Sequence, residues 1–371
     1  MKKITKALHT KIDTTNDAPI TTPIYQSSAF EAHSEFFYTR KNNPNISEFE
    51  QTVAILENTK YALATTTGMA AISLVLNLLK PEQHLIINKH MYGCSYKLFE
   101  WFCDNYNIKL SIIDLSNKEA WVSLPMADMI FFETPTNPFL YSINIRGISD
   151  IMKSKNKNTI IVVDNTWATP LFQKPCEHGA DISLHSATKY FSGHSDVMGG
   201  IILSNNEIIY EKLKSNRFYF GAILAPFSAW LLRRSLQTLE IRLSKHKKTT
   251  LELLQFLKKK NEVAKVYYPD VDGDQLTDYA TLIFFTFSEE HKNKYTEFSQ
   301  SLQLFSTGTG MACVTSMIAQ PFSGSHASMC KSEKEEMGLD ENLVRLSFGL
   351  EDINDLRADL DLAFDNISVP N

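Results

Sequence analysis

The sequence predicts an α/β protein: a large domain on a mostly parallel sheet sandwiched by helices, then a smaller α+β domain. Three observations carry this. Short apolar runs recur at Leu85–Ile87, Leu110–Ile113, Met129–Phe132, Ile160–Val163, Ile182–Leu184 and Ile201–Leu203, with helical stretches between them. Continuous β-branched runs of this kind belong to strands buried on both faces. A helical pattern, Leu232, Leu236, Leu239 and Leu243, begins near Ser228 and runs to about Phe256, as a bridge into the second domain. Beyond it come the strand-like TLIFFTF and a final helix, DINDLRADLDLAF.

Taken in order, residues 1–45 read as an arm, rich in turn formers and without helical periodicity. An ordered arm of this length has to dock, and a neighbouring subunit is a reasonable surface. Residues 46–227 form the large domain and residues 228–371 the smaller one. Within the first, TTTGMAAISLVLNLLKP is a loop and then a helix. Thr67 is its N-cap, Ile72, Val75, Leu76 and Leu79 its apolar face, and Pro81 lies past its end.

The chain has 371 residues and a formal net charge of -5, which gives no reason to expect nucleic acid or an anionic membrane as partner. No apolar run is long enough to span a bilayer, and the start has no signal-peptide apolar region. The five cysteines, Cys94, Cys103, Cys176, Cys313 and Cys330, lack CxxC spacing. That fits a reduced, cytoplasmic setting rather than a disulfide framework or a metal site.

In parallel sheets ligands gather at the carboxyl ends of strands. Polar residues sit there: Glu133 after Phe132, Asp164 after Val163, and the cluster from Ser186 to Lys189 after His185. A buried lysine flanked by hydroxyls suits covalent amine chemistry, with Ser186 and Thr188 able to bind a phosphate. On residue statistics alone, a lysine among serines is a solvated surface residue. Asp164 can hold a pyridinium nitrogen protonated, or can cap a turn through the following Asn165 and Thr166. TTTGM can present helix N-terminal amides to a phosphate, or be a plain capped helix.

DNTWATPLFQKPCEHGADISLHSATKYFSGHSDVMGG resembles the signature of the trans-sulfuration (Cys/Met metabolism) family of pyridoxal-phosphate enzymes. So do YTRKNNPN, TTTGMAAISLVL, MYGCSYKLFE, ETPTNPFL, GAILAPFSAWLLRRSLQTLEIRL and LVRLSFGLEDINDLRADL, in order over nearly the whole chain. The resemblance implies a fold-type I transferase with a seven-stranded sheet, pyridoxal 5'-phosphate as cofactor, and a homotetramer of active dimers. It implies that Lys189 carries the cofactor and shuttles protons, and that Asp164 pairs with the pyridine nitrogen. Gly68, Met69, Ser186 and Thr188 would hold the phosphate, joined by Tyr38 and Arg40 of a neighbouring subunit, and Thr166 would belong to the cofactor site. Tyr92 would stack on the ring and act as acid or base at the leaving group. Asn137 and Arg345 would hold the substrate carboxylate. Arg345 could instead pair with Glu351, and Tyr92 could simply pack.

The chain departs from the family around the pocket mouth. TGMACVTSM stands where the family reads [EV]-S-L-G-G-x-E-S-L, so Gly310 replaces a serine that orients the lysine. Cys94 stands at a place where methionine γ-lyases carry cysteine. Lys97 resembles cystathionine γ-synthase, replacing an arginine that can meet a substrate carboxylate. These signals conflict, because the glutamate typical of cystathionine-handling γ enzymes is missing from the pocket loop and Arg217 and Phe218 stand where methionine γ-lyases place a Lys/Asp pair; the expectation is γ-replacement or γ-elimination on a sulfur amino acid or O-acylhomoserine. Alternatives are β-elimination of the cystathionine β-lyase kind, a specialised enzyme of secondary metabolism, or a non-catalytic relative.

Overall fold

A computed structural model describes residues 1–12 and 19–368. A short helix, α1 (Lys3–Leu8), opens the chain, and α2 (Pro44–Glu57) begins where Asn43 caps it through its side chain. Then β1 (Tyr61–Thr65), α3 (Gly68–Leu76), β2 (His84–Asn88), α4 (Gly93–Tyr106), β3 (Lys109–Ile113) and β4 (Met129–Glu133) alternate. The alternation continues through α5 (Ile145–Lys155), β5 (Ile160–Asp164), α6 (Thr169–Phe172), β6 (Ile182–Ser186), β7 (Gly200–Ser204) and α7 (Glu207–Phe220). Two further helices, α8 (Pro226–Leu236) and α9 (Leu239–Leu257), lead to β8 (Val263–Tyr267) and β9 (Leu282–Phe287). The chain closes with α10 (Tyr295–Ser301), β10 (Ser306–Thr307), β11 (Met317–Ala319), α11 (Lys331–Met337), β12 (Leu343–Ser347) and α12 (Ile353–Ser368).

The first sheet has seven strands in the order β1-β7-β6-β5-β4-β2-β3. Strands β2 to β6 pair in parallel, and β7 runs antiparallel to both β6 and β1. Successive side chains alternate between faces, and both faces are buried. Ile86, Ile130, Phe132, Ile161 and Val163 join the core under α5, whereas Leu85, Ile87, Phe131 and Val162 join the opposite core with α3 and α4. The second sheet, β10-β11-β12-β9-β8, is mostly antiparallel and packs a separate core against α9, α10 and α12.

Three local expectations change. The arm is not free of helix, since α1 is present, and part of it docks on its own chain. Arg233 of α8 donates to the Leu8 and Thr10 carbonyls (3.0 and 2.9 Å), and the Trp230 indole donates to the Thr22 carbonyl (3.1 Å). Residues 13–18 of the arm lie outside the described residues. The helical pattern from Ser228 to Phe256 is two helices. At their junction the Ser235 carbonyl accepts from the Thr238 hydroxyl (3.1 Å) and the Arg242 guanidinium (3.1 Å), so side chains satisfy the group the break exposes. Finally, Leu79 is buried but lies past the end of α3, which stops at Leu76.

Candidate active site

The carboxyl ends of β4, β5 and β6 deliver Glu133, Asp164 and Ser186 to one side of the first sheet. They border a cavity of about 360 Å³. After β6 the chain turns back on itself. The Lys189 amide donates to the Ser186 carbonyl (3.2 Å), and Thr188 bonds to Gly199 through its amide and its hydroxyl. That turn puts Thr188 and Lys189 on the cavity wall.

Thr166 links two strand ends. Its amide and hydroxyl donate to Asp164 Oδ1 (2.9 and 2.5 Å), and its hydroxyl oxygen accepts the Ser186 amide (2.8 Å). Burial raises the Asp164 carboxyl pKa, while the Thr166 hydrogen bonds act against that rise. Thr67 caps α3 by accepting the Ala70 amide (3.0 Å), so the first amides of that helix point at the cavity beside Gly68 and Met69. A Cβ on Gly68 would come within 3.0 Å of Ser186 Cβ. Glycine at this position therefore lets the end of β6 approach the helix N-terminus closely, so that Gly68 and Ser186 border the cavity together.

Tyr92 stands at the head of α4, its amide donating to Glu133 Oε1 (2.9 Å). Burial and the Cys94 thiol push its hydroxyl above the ordinary value, so it keeps its proton. The next residue is Gly93 because His326 packs there: a Cβ would meet His326 Cα at 2.8 Å. Asn137 is buried with its Oδ1 unpartnered. Arg345 arrives from β12 of the second sheet. Its Nη2 donates to the Thr309 and Gly310 carbonyls (3.0 and 2.9 Å), and its Nε has no partner. Glu351 is occupied by the Ser316 amide and hydroxyl (2.6 and 2.9 Å), and the groups that act electrostatically on Arg345 are tyrosines rather than carboxylates. A buried guanidinium without a counterion is an anion-binding group. Burial lowers the Arg345 pKa to about 10, so it stays charged near neutrality. Burial, then Arg345, lower the Lys189 amine to about 8, where a useful fraction is unprotonated.

The structure therefore brings together Gly68, Met69, Tyr92, Asn137, Asp164, Thr166, Ser186, Thr188, Lys189 and Arg345 on one cavity. It does not bring in Lys97, which pairs with Glu100 (2.8 Å) and with Glu333 and is absent from the lining. The sequence reading that gave Lys97 a substrate carboxylate fails to foresee that these two acids already hold it. Cys94 also lies outside the lining, behind Tyr92. Tyr38 and Arg40 do not line this cavity in their own chain: Arg40 donates to the Phe218 carbonyl (2.9 Å) and stacks on the Phe218 ring. Thr309 and Met311 line the mouth. A side chain at Gly310 would meet the Met317 side chain (Sδ at 2.5 Å), so Met317 fills the space a serine would need. The lining also includes Glu133, Trp167 and Met198, which were not among the expected site residues. Position at a strand end is the one signal that pointed to Glu133.

A buried low-pKa lysine, a strand-end aspartate, a glycine-lined helix N-terminus and an unpaired arginine at one cavity define a lysine-based pyridoxal-phosphate site on a doubly covered α/β sheet. The model of the family "Cys/Met metabolism PLP-dependent enzyme" matches residues 4–365, and the chain belongs to that family. It is similar to a cystathionine gamma-lyase of Dictyostelium discoideum, with 35% identity over 93% of this chain and 91% of that protein. A cystathionine beta-lyase of Coxiella burnetii is 36% identical over 93% and 92%. A solved cystathionine gamma synthase from Xanthomonas oryzae pv. oryzae, in complex with aminoacrylate and cysteine, superposes with a TM-score of 0.94 at 31% identity, covering 99% of this chain and 98% of that one.

Proposed function

We propose that the enzyme catalyses γ-replacement or γ-elimination on a sulfur amino acid or an O-acylhomoserine. The observation that carries this is the convergence on one cavity of a proton-accepting amine (Lys189), a proton-holding phenol (Tyr92) and an unpaired carboxylate clamp (Arg345). Bound pyridoxal phosphate supplies an electron sink for the negative charge left at the substrate α-carbon. Asp164, fixed by Thr166, would pair with its pyridine nitrogen, and Ser186, Thr188 and the amides at Gly68 and Met69 would hold its phosphate. Arg345 and Asn137 hold the substrate carboxylate and so set the α-carbon before Lys189. The Lys189 amine would take the α-proton, hand it on to the cofactor side of the bound substrate and, free again, take a β-proton, while the Tyr92 hydroxyl would give its proton to the departing heteroatom. In elimination, water completes the balance, giving a 2-oxo acid, ammonia and the protonated leaving group.

The γ reading is supported by the similarity to a γ-lyase and a γ-synthase. The Coxiella burnetii relative favours β-elimination as the second reading. A panel of methionine, cystathionine, cysteine, homocysteine and O-acylhomoserines, with and without a thiol, separates them. We expect 2-oxobutanoate and ammonia, or a thioether product when thiol is present. Pyruvate as the sole oxo acid would overturn the γ reading in favour of the β one. The same proposal includes a homotetramer of active dimers in which Tyr38 and Arg40 of a neighbouring copy reach the phosphate. The absence of these two residues from the lining of their own cavity supports that arrangement. It also includes a cytoplasmic setting, supported by five free cysteines, and domains at 46–227 and 228–371, supported by the separate core of the second sheet.

A further inference from the structure

Glu133 ends β4, is 2% exposed and lines the cavity. Its Oε1 accepts the Tyr92 amide, while its Oε2 is buried with no hydrogen-bond partner. On the neighbouring parallel strand its register partner is Asp164. Two carboxyl groups thus stand at paired positions on neighbouring strand ends, both buried and both lining the cavity. Both cannot ionise cheaply there, because each charge is desolvated and repels the other.

The surroundings decide which one is charged. Asp164 receives two donors from Thr166. The His185 ring, held by Glu57 through a hydrogen bond of 3.1 Å, also favours its ionised form. Glu57 is itself fully buried, and its Oε1 accepts from the Ser183 hydroxyl (2.5 Å) and the Asn165 amide (3.2 Å), so the support behind Asp164 is fixed. Glu133 has one backbone donor and no side-chain donor. Burial, reinforced by the Asp164 charge, pushes its carboxyl well above the usual range. A neutral carboxyl carries a donor, and the unpartnered oxygen is where that donor sits.

We propose that Glu133 is a resident carboxylic acid whose Oε2–H donates a hydrogen bond to an acceptor atom of bound pyridoxal phosphate, while Asp164 carries the negative charge. Glu133 is then a cofactor-binding residue and also the anchor of Tyr92. The proposal rests on the pyridoxal-phosphate site, which the absorbance of the wild-type holoenzyme tests separately.

Two measurements on the holoenzyme test it. Infrared spectra at neutral pH are expected to show the carbonyl stretch of a protonated carboxyl in the wild type that vanishes in Glu133→Gln. Cofactor titration followed by visible absorbance is the second. Glu133→Gln keeps a neutral donor of the same shape, so its affinity should stay within about twofold of wild type with an unshifted absorbance maximum, whereas Glu133→Leu should bind about tenfold more weakly. Absence of the wild-type infrared band would overturn the proposal. So would a Glu133→Gln enzyme with a shifted maximum or with affinity as weak as Glu133→Leu, since that outcome belongs to an ionised Glu133. Should Glu133→Leu fail to fold, the infrared band and the Gln variant decide the matter alone.

Discussion

At the residue scale the site depends on a few buried groups whose protonation is set by their surroundings. Lys189 is the clearest. Lys189→Ala should abolish both the visible band of the lysine-bound cofactor and its trapping by borohydride. Retention of the trapped product would assign the carrier amine to another lysine. His326 is a second case. Its Nε2 donates to the Met91 carbonyl (3.0 Å) and its Nδ1 bonds to the Ser325 hydroxyl (2.9 Å), so both ring nitrogens are engaged. Burial, the largest cause, lowers its pKa from 6.5 to about 4. The folded state therefore binds its proton less readily than the unfolded one. Stability is full above pH 6.5 and falls as the pH drops from 6.5 towards 4. By pH 5 this one group should withdraw about 2 kcal/mol. Melting temperatures at pH 7 and pH 5 check this, since His326→Gln should narrow the difference between them. Among these residues, Asp164 was legible because it directly follows an apolar run, and Lys189 because it closes the polar cluster that begins two residues after the run Ile182–Leu184. Lys97 misled because nothing near it in sequence reveals Glu333, which comes from α11.

At the element scale, the parallel strands could be read from the sequence because both of their faces are buried, which leaves unbroken apolar runs. β1, with the sequence YALAT, gave no such run: alanine and threonine occupy positions that bulkier residues fill elsewhere. The break between α8 and α9 was equally hidden, because leucine periodicity continues across it while Arg242 and Thr238 make the break tolerable. The pocket loop shows another coupling across elements. Gly310 and Met317 are complementary, one lacking a side chain where the other lies. Restoring the family's serine with Gly310→Ser should make the flexible end of Met317 swing aside and destabilise the enzyme by at most about 1 kcal/mol. Adding Met317→Ala should recover part of that loss. A double variant no more stable than the single one would show that the two residues do not compete for space.

At the scale of the whole molecule, the large α/β domain and its order were legible because the pattern repeats, whereas the arm was legible only as something that must dock. Its contacts with α8 show that one chain already takes up part of it. The cavity edge that Tyr38 and Arg40 are proposed to complete lies on a second copy. Mixing Arg40→Ala with Lys189→Ala subunits should yield hybrid sites with both residues intact and so recover activity. Verified mixed oligomers without any activity would argue against sharing across the interface.

Arg345 belongs to the second sheet, yet its guanidinium lines a cavity whose floor belongs to the first. During synthesis on the ribosome, the first sheet can assemble while β12 has yet to emerge, so the chain passes through a stage that holds Lys189 and Asp164 but not the anion clamp. Contacts so far apart in sequence form late. A grip on the amino acid thus depends on the second sheet being in place, whereas Lys189 and Asp164 come from the first sheet and the turn that follows it.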